Sequence, residues 1–207
     1  QIIISQRKAF LEKKTGTERE ALREMGSKIW LPHVIALTGV RRCGKSTLLR
    51  QTAGKYYNNK DFYYVNFEDE RLLDFNASQF SKIYEAMLQL YGEKKTFLID
   101  EIQNVVGFEA FVRRFCDDGF KLVITGSNSK LLSKEFGTKL TGRHVDIVLK
   151  PFSFCEYLRF KGFQLSEESL GTNNIEIKNC FEDYLMNGGM PEYLNHRDYE
   201  ILQRTYE

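Results

Sequence analysis

Five short apolar runs recur along the chain, and they constrain its fold more than any other feature. They are VIALT from Val34, FYYVNF from Phe62, TFLID from Thr96, KLVIT from Lys121 and VDIVL from Val145. Runs of this length that are rich in β-branched and aromatic residues predict strands. Several lack polar alternation, as expected of strands that helices cover on both faces. We therefore expect a mainly parallel, buried sheet.

Segments with helical character separate these runs, and they cover 45–57, 78–91 and 108–116. The resulting order βαβαβαβαβ is typical of the α/β class, with a parallel sheet between two layers of helices. Before the first strand, residues 1–31 mix apolar and charged positions and predict an amphipathic helical segment. After Pro151 the sequence predicts short helices, which end at the Gly188–Gly189 pair.

The distribution of proline indicates how the 207 residues are organised. Pro32 and Pro151 flank a long interval without proline that holds all five predicted strands. We predict an N-terminal helical entry segment at 1–32, a core domain at 33–150 and a helical appendage at 151–207. The appendage is short for a domain, so we expect it to be the truncated beginning of one.

Composition and charge exclude several classes of protein. The 30 Lys and Arg residues balance 28 Asp and Glu residues, and the net charge of +2 indicates no strong basic field for nucleic acid. The longest charge-free stretch, 29–40, is far shorter than the roughly 20 apolar residues of a membrane-spanning helix. No signal peptide is visible, and the four scattered cysteines support neither a disulfide framework nor a zinc site. We expect a reducing, cytoplasmic location and no membrane partner.

Residues 39–46 read GVRRCGKS and match the pattern G-x-x-x-x-G-K-[ST] between the first predicted strand and a helix. Glycines allow a tight turn whose N–H groups point at phosphate oxygens, assisted by the positive end of the following helix. Lys45 would reach the β- and γ-phosphates, Ser46 would hold Mg²⁺, and Thr47 would lie near the α-phosphate. The alternative interpretation is a glycine-rich turn with a solvated lysine. The predicted nucleotide-binding residues are Gly39, Val40, Arg41, Arg42, Cys43, Gly44, Lys45, Ser46 and Thr47.

Two acids, Asp100 and Glu101, end the third predicted strand. Asp100 would complete the hold on Mg²⁺ together with Ser46. Glu101 would orient and deprotonate a water molecule for in-line attack on the γ-phosphate. Such a pair alone is more often a helix N-cap, but beside the phosphate-loop motif it indicates hydrolysis.

The fourth predicted strand is followed by GSNS, which places Ser127 and Asn128 at the carboxyl edge of the sheet. Ligands bind at that edge in open parallel sheets. Asn128, or failing that Ser127, would hydrogen-bond the γ-phosphate or the attacking water as a catalytic residue. The alternative is an ordinary turn that caps the next helix.

Arg143 lies immediately before the fifth predicted strand, within LTGRHVDIVL. It completes the predicted catalytic set of Lys45, Glu101, Asn128 and Arg143 as a candidate arginine finger, which is worth about 10³ to 10⁵ in rate. Supplied by a neighbouring subunit, it would require a homo-oligomer. The alternative is an exposed arginine that is solvated or pairs with an acid.

Several segments together resemble the AAA-type P-loop ATPase family of bacteria and archaea. They are GVRRCGKSTLLRQ, TFLIDEIQNV, VITGSNSKLL, LTGRHVDIVLKPFSFCEYL and YLMNGGMPEYL. The resemblance implies a five-stranded core in the order 5-1-4-3-2, ATP as the nucleotide and a further C-terminal domain. Cys43 stands where relatives often have a small aliphatic residue, which predicts sensitivity to thiol reagents.

These features leave more than one function open. The first hypothesis is an ATP hydrolase that acts on a macromolecular partner, DNA or protein, and the second is an ATP-dependent switch or scaffold with little turnover. A small-molecule kinase is less consistent with Glu101, and the stretch 58–62, NNKDF, lacks the N-K-x-D spacing of a guanine site. A nucleic-acid groove lined by basic residues is an alternative to a solvated helix face. Its candidates are Arg113, Arg114, Lys130, Lys134 and Lys139.

Overall fold

A parallel sheet of five strands forms the centre of the molecule. The computed structural model describes residues 1–127, 142–165 and 174–206. The spatial order β2-β3-β4-β1-β5 is the predicted order 5-1-4-3-2 counted from the opposite edge. The predicted α/β sandwich and its strand order are therefore confirmed. The strands are β1 (Val34–Thr38), β2 (Tyr63–Asn66), β3 (Thr96–Asp100), β4 (Lys121–Thr125) and β5 (His144–Val148).

Two strands differ slightly from their apolar runs. β2 excludes Phe62, whose carbonyl accepts a hydrogen bond from the Arg7 guanidinium at 2.6 Å and not from a neighbouring strand. β5 begins one residue early, because His144 pairs with Val34 at the start of β1. These differences move element ends without changing the topology.

Helices lie on both faces of the sheet and continue beyond it. Within the described ranges, no helix is both long and apolar enough to cross a membrane. The helices are α1 (Ile2–Glu12), α2 (Ala21–Lys28), α3 (Lys45–Tyr57), α4 (Phe80–Tyr91), α5 (Phe108–Asp117), α6 (Phe154–Phe160), α7 (Asn174–Asn187), α8 (Pro191–His196) and α9 (Tyr199–Tyr206). A 3₁₀ turn, Ala77–Gln79, precedes α4 and carries a capping box between Asn76 and Gln79, so α4 begins later than predicted.

The two faces of the sheet bury separate apolar clusters. One cluster packs Tyr63 and Phe97 of the sheet against α4 and α5, and the other packs Ile35 and Leu37 against α2 and α3. Strands β1 and β3 are buried at every position, which explains why their sequences show no polar alternation. Full burial of a large apolar side chain contributes about 1.5–3 kcal/mol, so these clusters stabilise the sheet strongly.

Helix α1 covers the free edge of β2. The Gln6 side-chain amide donates to the Asn66 carbonyl at 2.9 Å and accepts from the Asn66 N–H at 3.0 Å. It therefore occupies both backbone groups through which another strand would pair. The N-terminal helix thus protects this edge from strand addition at Asn66.

A buried arginine, Arg19, joins three separate parts of the chain. Its Nε lies 3.0 Å from Glu156 Oε1, and these two side chains are 3% and 4% exposed. Its Nη1 donates to the Cys43 carbonyl and its Nη2 donates to the Lys150 carbonyl, both at 2.6 Å. The guanidinium also lies over the Phe152 ring, 4.9 Å from its centroid. Arg19 thereby fixes the segment before α2 against residues 39–46 and against α6.

The segment after Pro151 has its own apolar cluster and a polar centre at Asp183. The Asp183 carboxylate accepts from the Tyr157 hydroxyl and from Arg197 Nη2 at 2.8 Å. These hydrogen bonds, with Arg197 as the largest contributor, hold the pKa of Asp183 well below its usual range. Gly189 packs so closely on Phe152 that a Cβ would lie 2.2 Å from the Phe152 carbonyl oxygen. Only glycine fits at this contact.

We predict that Arg19→Met lowers the free energy of unfolding by about 3–5 kcal/mol, because it leaves Glu156 buried without its counter-charge. Urea denaturation followed by circular dichroism measures this loss. Arg19→Met with Glu156→Leu should cost less than the sum of the two single changes. The control is Arg23→Met, which alters an exposed arginine of α2. A loss below about 1 kcal/mol for Arg19→Met, the range of surface pairs, would contradict the prediction.

Candidate functional site

Residues from β1, β3 and β4 meet at the carboxyl edge of the sheet. The Thr125 hydroxyl donates to Asp100 Oδ1 and accepts from the Glu101 N–H at 2.9 Å. β3 and β4 are neighbours in parallel register, so their last residues are brought side by side. The structure therefore places the Asp100–Glu101 pair beside the loop that follows β1, as the sequence predicts for a ligand site.

The backbone of residues 39–46 adopts a turn that only certain residues tolerate. Gly39 has φ +143° and a Cβ there would lie 2.2 Å from the Leu149 carbonyl oxygen. Gly44 has φ +100° and is the N-cap of α3. Arg42 also has a positive φ of 68°. The glycines let the loop wrap over the N-terminus of α3, where N–H groups and the helix dipole favour an anion.

Lys45 and Ser46 begin α3 inside this loop. Lys45 is 4% exposed, and its Nζ donates to the carbonyls of Gly39 at 3.1 Å and Val40 at 3.2 Å. The side chains of Ser46 and Asp100, the two predicted metal-binding residues, line a common cavity and lie close enough for the Ser46 hydroxyl to stabilise the Asp100 carboxylate. Burial raises the pKa of Asp100, because its charged form has lost contact with water, and the Thr125 and Ser46 hydroxyls oppose that rise.

A cavity of about 380 Å³ opens above the loop. Both of its arginines are paired with acids: Arg41 with Glu68 at 3.2 Å, and Arg42 with Glu192 of α8 at 3.1 Å. The cavity brings together cations, hydroxyls and two carboxylates, which are groups that phosphate chemistry uses. Its lining residues are Arg41, Arg42, Gly44, Lys45, Ser46, Thr47, Glu68 and Glu101.

A second cavity, of about 120 Å³, shares Gly44 and Thr47 with the first. Its other walls come from the segment before α2 and from the region after Pro151. They are Gly16, Thr17, Arg19, Phe152, Phe160, Pro191 and Asn195. The two cavities adjoin at the start of α3, so a molecule held by the loop would extend into the second cavity.

Glu101 projects into the first cavity from an unusual backbone conformation. Its φ and ψ are 52° and 51°, the left-handed region that non-glycine residues rarely adopt. Glu101 Oε2 accepts hydrogen bonds from Gln103 Nε2 and from the Ser127 hydroxyl, the latter at 3.3 Å. Ser127 therefore lies next to Glu101. Asn128, the preferred candidate at this position, lies outside the described residues.

Comparison with known proteins supports the AAA-type family that the sequence segments resemble. The sequence profile of a family described as "AAA domain" matches residues 32–158, more than half of the chain. The chain belongs to this AAA family. An uncharacterised protein of Methanocaldococcus jannaschii is 37% identical over 170 residues, which are 82% of this chain and 38% of that protein. An uncharacterised protein of Haemophilus influenzae is 35% identical over 161 residues, which are 75% of this chain and 38% of that protein.

The AAA chain thus spans well under half the length of both curated relatives. Among solved structures, the S. cerevisiae Hsp104:casein complex in its extended conformation is similar, with a TM-score of 0.57 and 14% identity. The match covers 92% of this chain and 38% of the Hsp104 chain. At this identity the similarity shows the fold alone. The predicted membership of the AAA-type P-loop ATPases is confirmed by the family match.

Arg143 lies at the amino-terminal end of the strands of the AAA sheet, whereas the loop 39–46 lies at their carboxyl end. Its carbonyl accepts from the N–H of Val34, the first residue of β1, at 2.9 Å. The length of β1, roughly 15 Å, separates it from the loop at the other end. The half-exposed Arg143 guanidinium pairs with Asp117. The structure therefore does not bring Arg143 together with Lys45 and Glu101 of the same chain.

The predicted sensitivity of Cys43 to thiol reagents is wrong. The Cys43 side chain is fully buried in the apolar cluster with Ile35 and Leu37, at 0% exposure. Burial raises the pKa of its thiol, so the reactive thiolate is disfavoured as well as inaccessible. Position in a glycine-rich loop gave no indication that this one side chain points into the core.

Four residues that shape the site were not predicted from the sequence: Arg19, Glu68, Gln103 and Glu192. Arg19, Glu68 and Glu192 reach the loop from segments far away in the chain, and nothing in their local sequence indicates these contacts. Gln103 is different, because it stands two residues after Glu101 in the quoted segment TFLIDEIQNV. Its position in the turn after β3 could have predicted a contact with Glu101.

We predict that an aromatic disulfide reagent modifies Cys155 in the native protein and Cys43 only after unfolding. Cys155 is exposed, whereas Cys43 is buried with a raised pKa. Mass spectrometry of the labelled peptides, with and without denaturant, measures both. Cys155→Ser should remove the modification at position 155, and Cys43→Ser should leave it intact. Rapid native labelling of Cys43 would contradict the burial that we describe.

Proposed function

We propose that this AAA chain binds ATP with Mg²⁺ and hydrolyses its terminal phosphoanhydride bond. The observation that carries the proposal is the convergence of Lys45, Ser46 and Glu101 on one cavity above a helix N-terminus, with the Asp100 carboxylate close to Ser46. Membership of the AAA family supports the same reaction class. Each of these groups has a distinct role in phosphoryl transfer to water.

The loop residues would hold the phosphates. Backbone N–H groups from Gly39 to Thr47 would surround the phosphate oxygens, and Lys45 would exchange its carbonyl partners for the β- and γ-phosphates. Arg41 and Arg42 also line the cavity, and each would have to exchange its acidic partner to contact a phosphate. The Ser46 hydroxyl and the buried Asp100 carboxylate are the hard oxygen donors that Mg²⁺ prefers. Bound there, Mg²⁺ would neutralise charge on the β- and γ-phosphate oxygens.

The second cavity would receive the base of the nucleotide. It begins at Gly44 and Thr47, where the phosphate chain would end, and Phe152 and Phe160 give it apolar walls. An aromatic lining suits the flat face of a base. The region after Pro151 would therefore contribute to nucleotide binding as well as the core domain.

Glu101 would act as the general base of the hydrolysis. A water oxygen forms the new bond to the γ-phosphorus while the bond to the β–γ bridging oxygen breaks, and that electron pair leaves with ADP. The proton of the attacking water passes to the Glu101 carboxylate. Ser127 lies close enough to Glu101 to support this geometry, and Asn128 stays a proposed catalytic residue from the sequence.

We predict opposite effects for two substitutions. Lys45→Ala should weaken ATP binding about 10- to 100-fold, because a charged hydrogen-bond donor is lost. Glu101→Gln should retain ATP affinity and lower turnover about 10²- to 10⁴-fold. Isothermal titration and phosphate release measure these effects, with Lys55→Ala, an exposed lysine of α3, as the control. Tight ATP binding with negligible turnover by the unaltered chain would indicate the switch hypothesis in place of hydrolysis.

We further propose that Arg143 serves a neighbouring copy of the chain as an arginine finger. It is exposed and lies at the opposite end of the strands from its own loop, so it would act on the site of another subunit. A homo-oligomer follows from this proposal.

We also propose a macromolecular partner, DNA or protein. The support for this partner is the type of reaction proposed for the AAA family, and no contact in the described residues adds to it. Arg113 and Arg114 already contact Asp117 and Ser81, and Lys130, Lys134 and Lys139 lie outside the described residues.

We predict that ATPase activity per chain rises with protein concentration and that Arg143→Ala abolishes this rise, with a loss of about 10³-fold or more at high concentration. Phosphate release measured across a dilution series, with and without DNA, checks both the finger and the partner class. In the series without DNA, Arg113→Ala is a matched control, because Arg113 also faces Asp117 from an exposed position. A rate that is independent of concentration would contradict a finger in trans.

The domain division at 1–32, 33–150 and 151–207 stays a proposal, as does a cytoplasmic location. In support of the location, the four cysteines are free thiols, which suits a reducing compartment. Contacts through Arg19 and through the Arg42–Glu192 pair join the three proposed parts around one site. We therefore infer that they act together in nucleotide binding.

A further inference from the structure

Gln103 contacts the proposed general base directly. It lies in the 3₁₀ turn Ile102–Asn104 that follows β3 and Glu101. Its Nε2 donates to Glu101 Oε2 and to the Ser127 hydroxyl, the latter at 3.3 Å. Ser127 in turn contacts the same carboxylate oxygen. The three side chains form a closed triangle at the carboxyl edge of the sheet.

The carboxylate fixes the orientation of the Gln103 amide. An ionised carboxylate accepts hydrogen bonds only, so the Nε2 group must face Glu101 and the Oε1 group must face away. In the part of the chain that the structure describes, Gln103 Oε1 is buried and has no hydrogen-bond partner. Such an orphaned acceptor costs free energy. The fold therefore keeps the amide turned toward Glu101 at a cost in stability.

Both contacts fall on one oxygen of the carboxylate. Gln103 and Ser127 hold Glu101 Oε2, and none of the described hydrogen bonds uses Glu101 Oε1. The backbone of Glu101 is in the left-handed region, which fixes the direction in which its side chain leaves the chain. With Oε2 held, the remaining oxygen has a defined position in the cavity that Lys45 also lines.

We propose that Gln103 is a positioning residue for hydrolysis, which holds Glu101 so that its free oxygen takes the proton of the attacking water. The inference rests on the proposed ATPase function. Gln103 acts through Glu101 and contributes nothing to phosphate binding, since it does not line the cavity above the loop. General-base catalysis increases the rate about 10²- to 10⁴-fold, and a base without a defined orientation loses much of this rate enhancement.

The test separates turnover from binding. Gln103→Leu should lower kcat about 10- to 100-fold and leave the affinity for the ATP analogue AMPPCP within about twofold. Gln103→Glu should lower kcat further, since it replaces the donor with a like charge beside Glu101. Asn104→Ala is the matched control, because Asn104 lies in the same turn and its amide donates to the Phe67 carbonyl, away from Glu101. Circular dichroism establishes that each variant is folded.

A double-mutant comparison tests whether the effect passes through Glu101. In the Glu101→Gln background, single-turnover hydrolysis of labelled ATP should not fall further when Gln103→Leu is added. A further fall of the same size in that background would overturn the proposal. So would a faster rate for Gln103→Leu, which would show that Gln103 restrains Glu101 away from the reaction.

The outcomes also separate this inference from the proposed function. Absence of ATP hydrolysis by the unaltered chain would overturn both together. Hydrolysis that depends on Glu101 but is unchanged by Gln103→Leu would overturn the role of Gln103 alone. A loss of AMPPCP affinity in Gln103→Leu equal to its loss of rate would assign the residue to binding and would also overturn the proposal.

Discussion

The buried ion pair of Arg19 and Glu156 is the interaction on which the site depends. A guanidinium with almost no exposure must find acceptors on all sides, and Arg19 finds them on Glu156 and on the carbonyls of Cys43 and Lys150. One of those carbonyls, that of Cys43, belongs to the loop 39–46 that we propose binds phosphate. Because the buried Arg19 charge needs all of these acceptors, it holds the loop 39–46, the segment after β5 and α6 in a fixed arrangement.

This arrangement makes the segments outside the sheet part of the proposed nucleotide site. The Arg19 guanidinium lies close to Gly44, so a Cβ at that glycine would approach Nη1 at 3.0 Å. Glu192 of α8 pairs with Arg42 of the same loop. Residues 39–46 thus contact one arginine from the segment before α2 and one acid from the region after Pro151.

Local sequence patterns were sufficient for the strands and the loop, and insufficient for everything that depends on distant contacts. The apolar runs predicted β1 to β5 because burial on both faces removes alternation, a property visible within a few residues. The direction of the strands is enough to predict at which end of the sheet Arg143 lies. Whether its side chain contacts a nucleotide site of another subunit depends on how copies of the chain would assemble, which the sequence pattern does not describe. Cys43 was misjudged because its burial depends on packing against Ile35 and Leu37, which no spacing rule describes.

Two departures from local rules stand together at Glu101. Glu101 is in the left-handed region, and two residues later Gln103 has a buried oxygen without a hydrogen-bond partner among the described residues. Each is unfavourable for stability. The strained backbone of Glu101 lies beside the cavity that we propose binds phosphate. Unfavourable local conformations of this kind are expected at functional sites, where the position of a side chain matters more than stability. The same reasoning explains why propensity alone did not single out Gln103: its side chain is unfavourable by local rules, and its value lies in the orientation that it imposes on its neighbour.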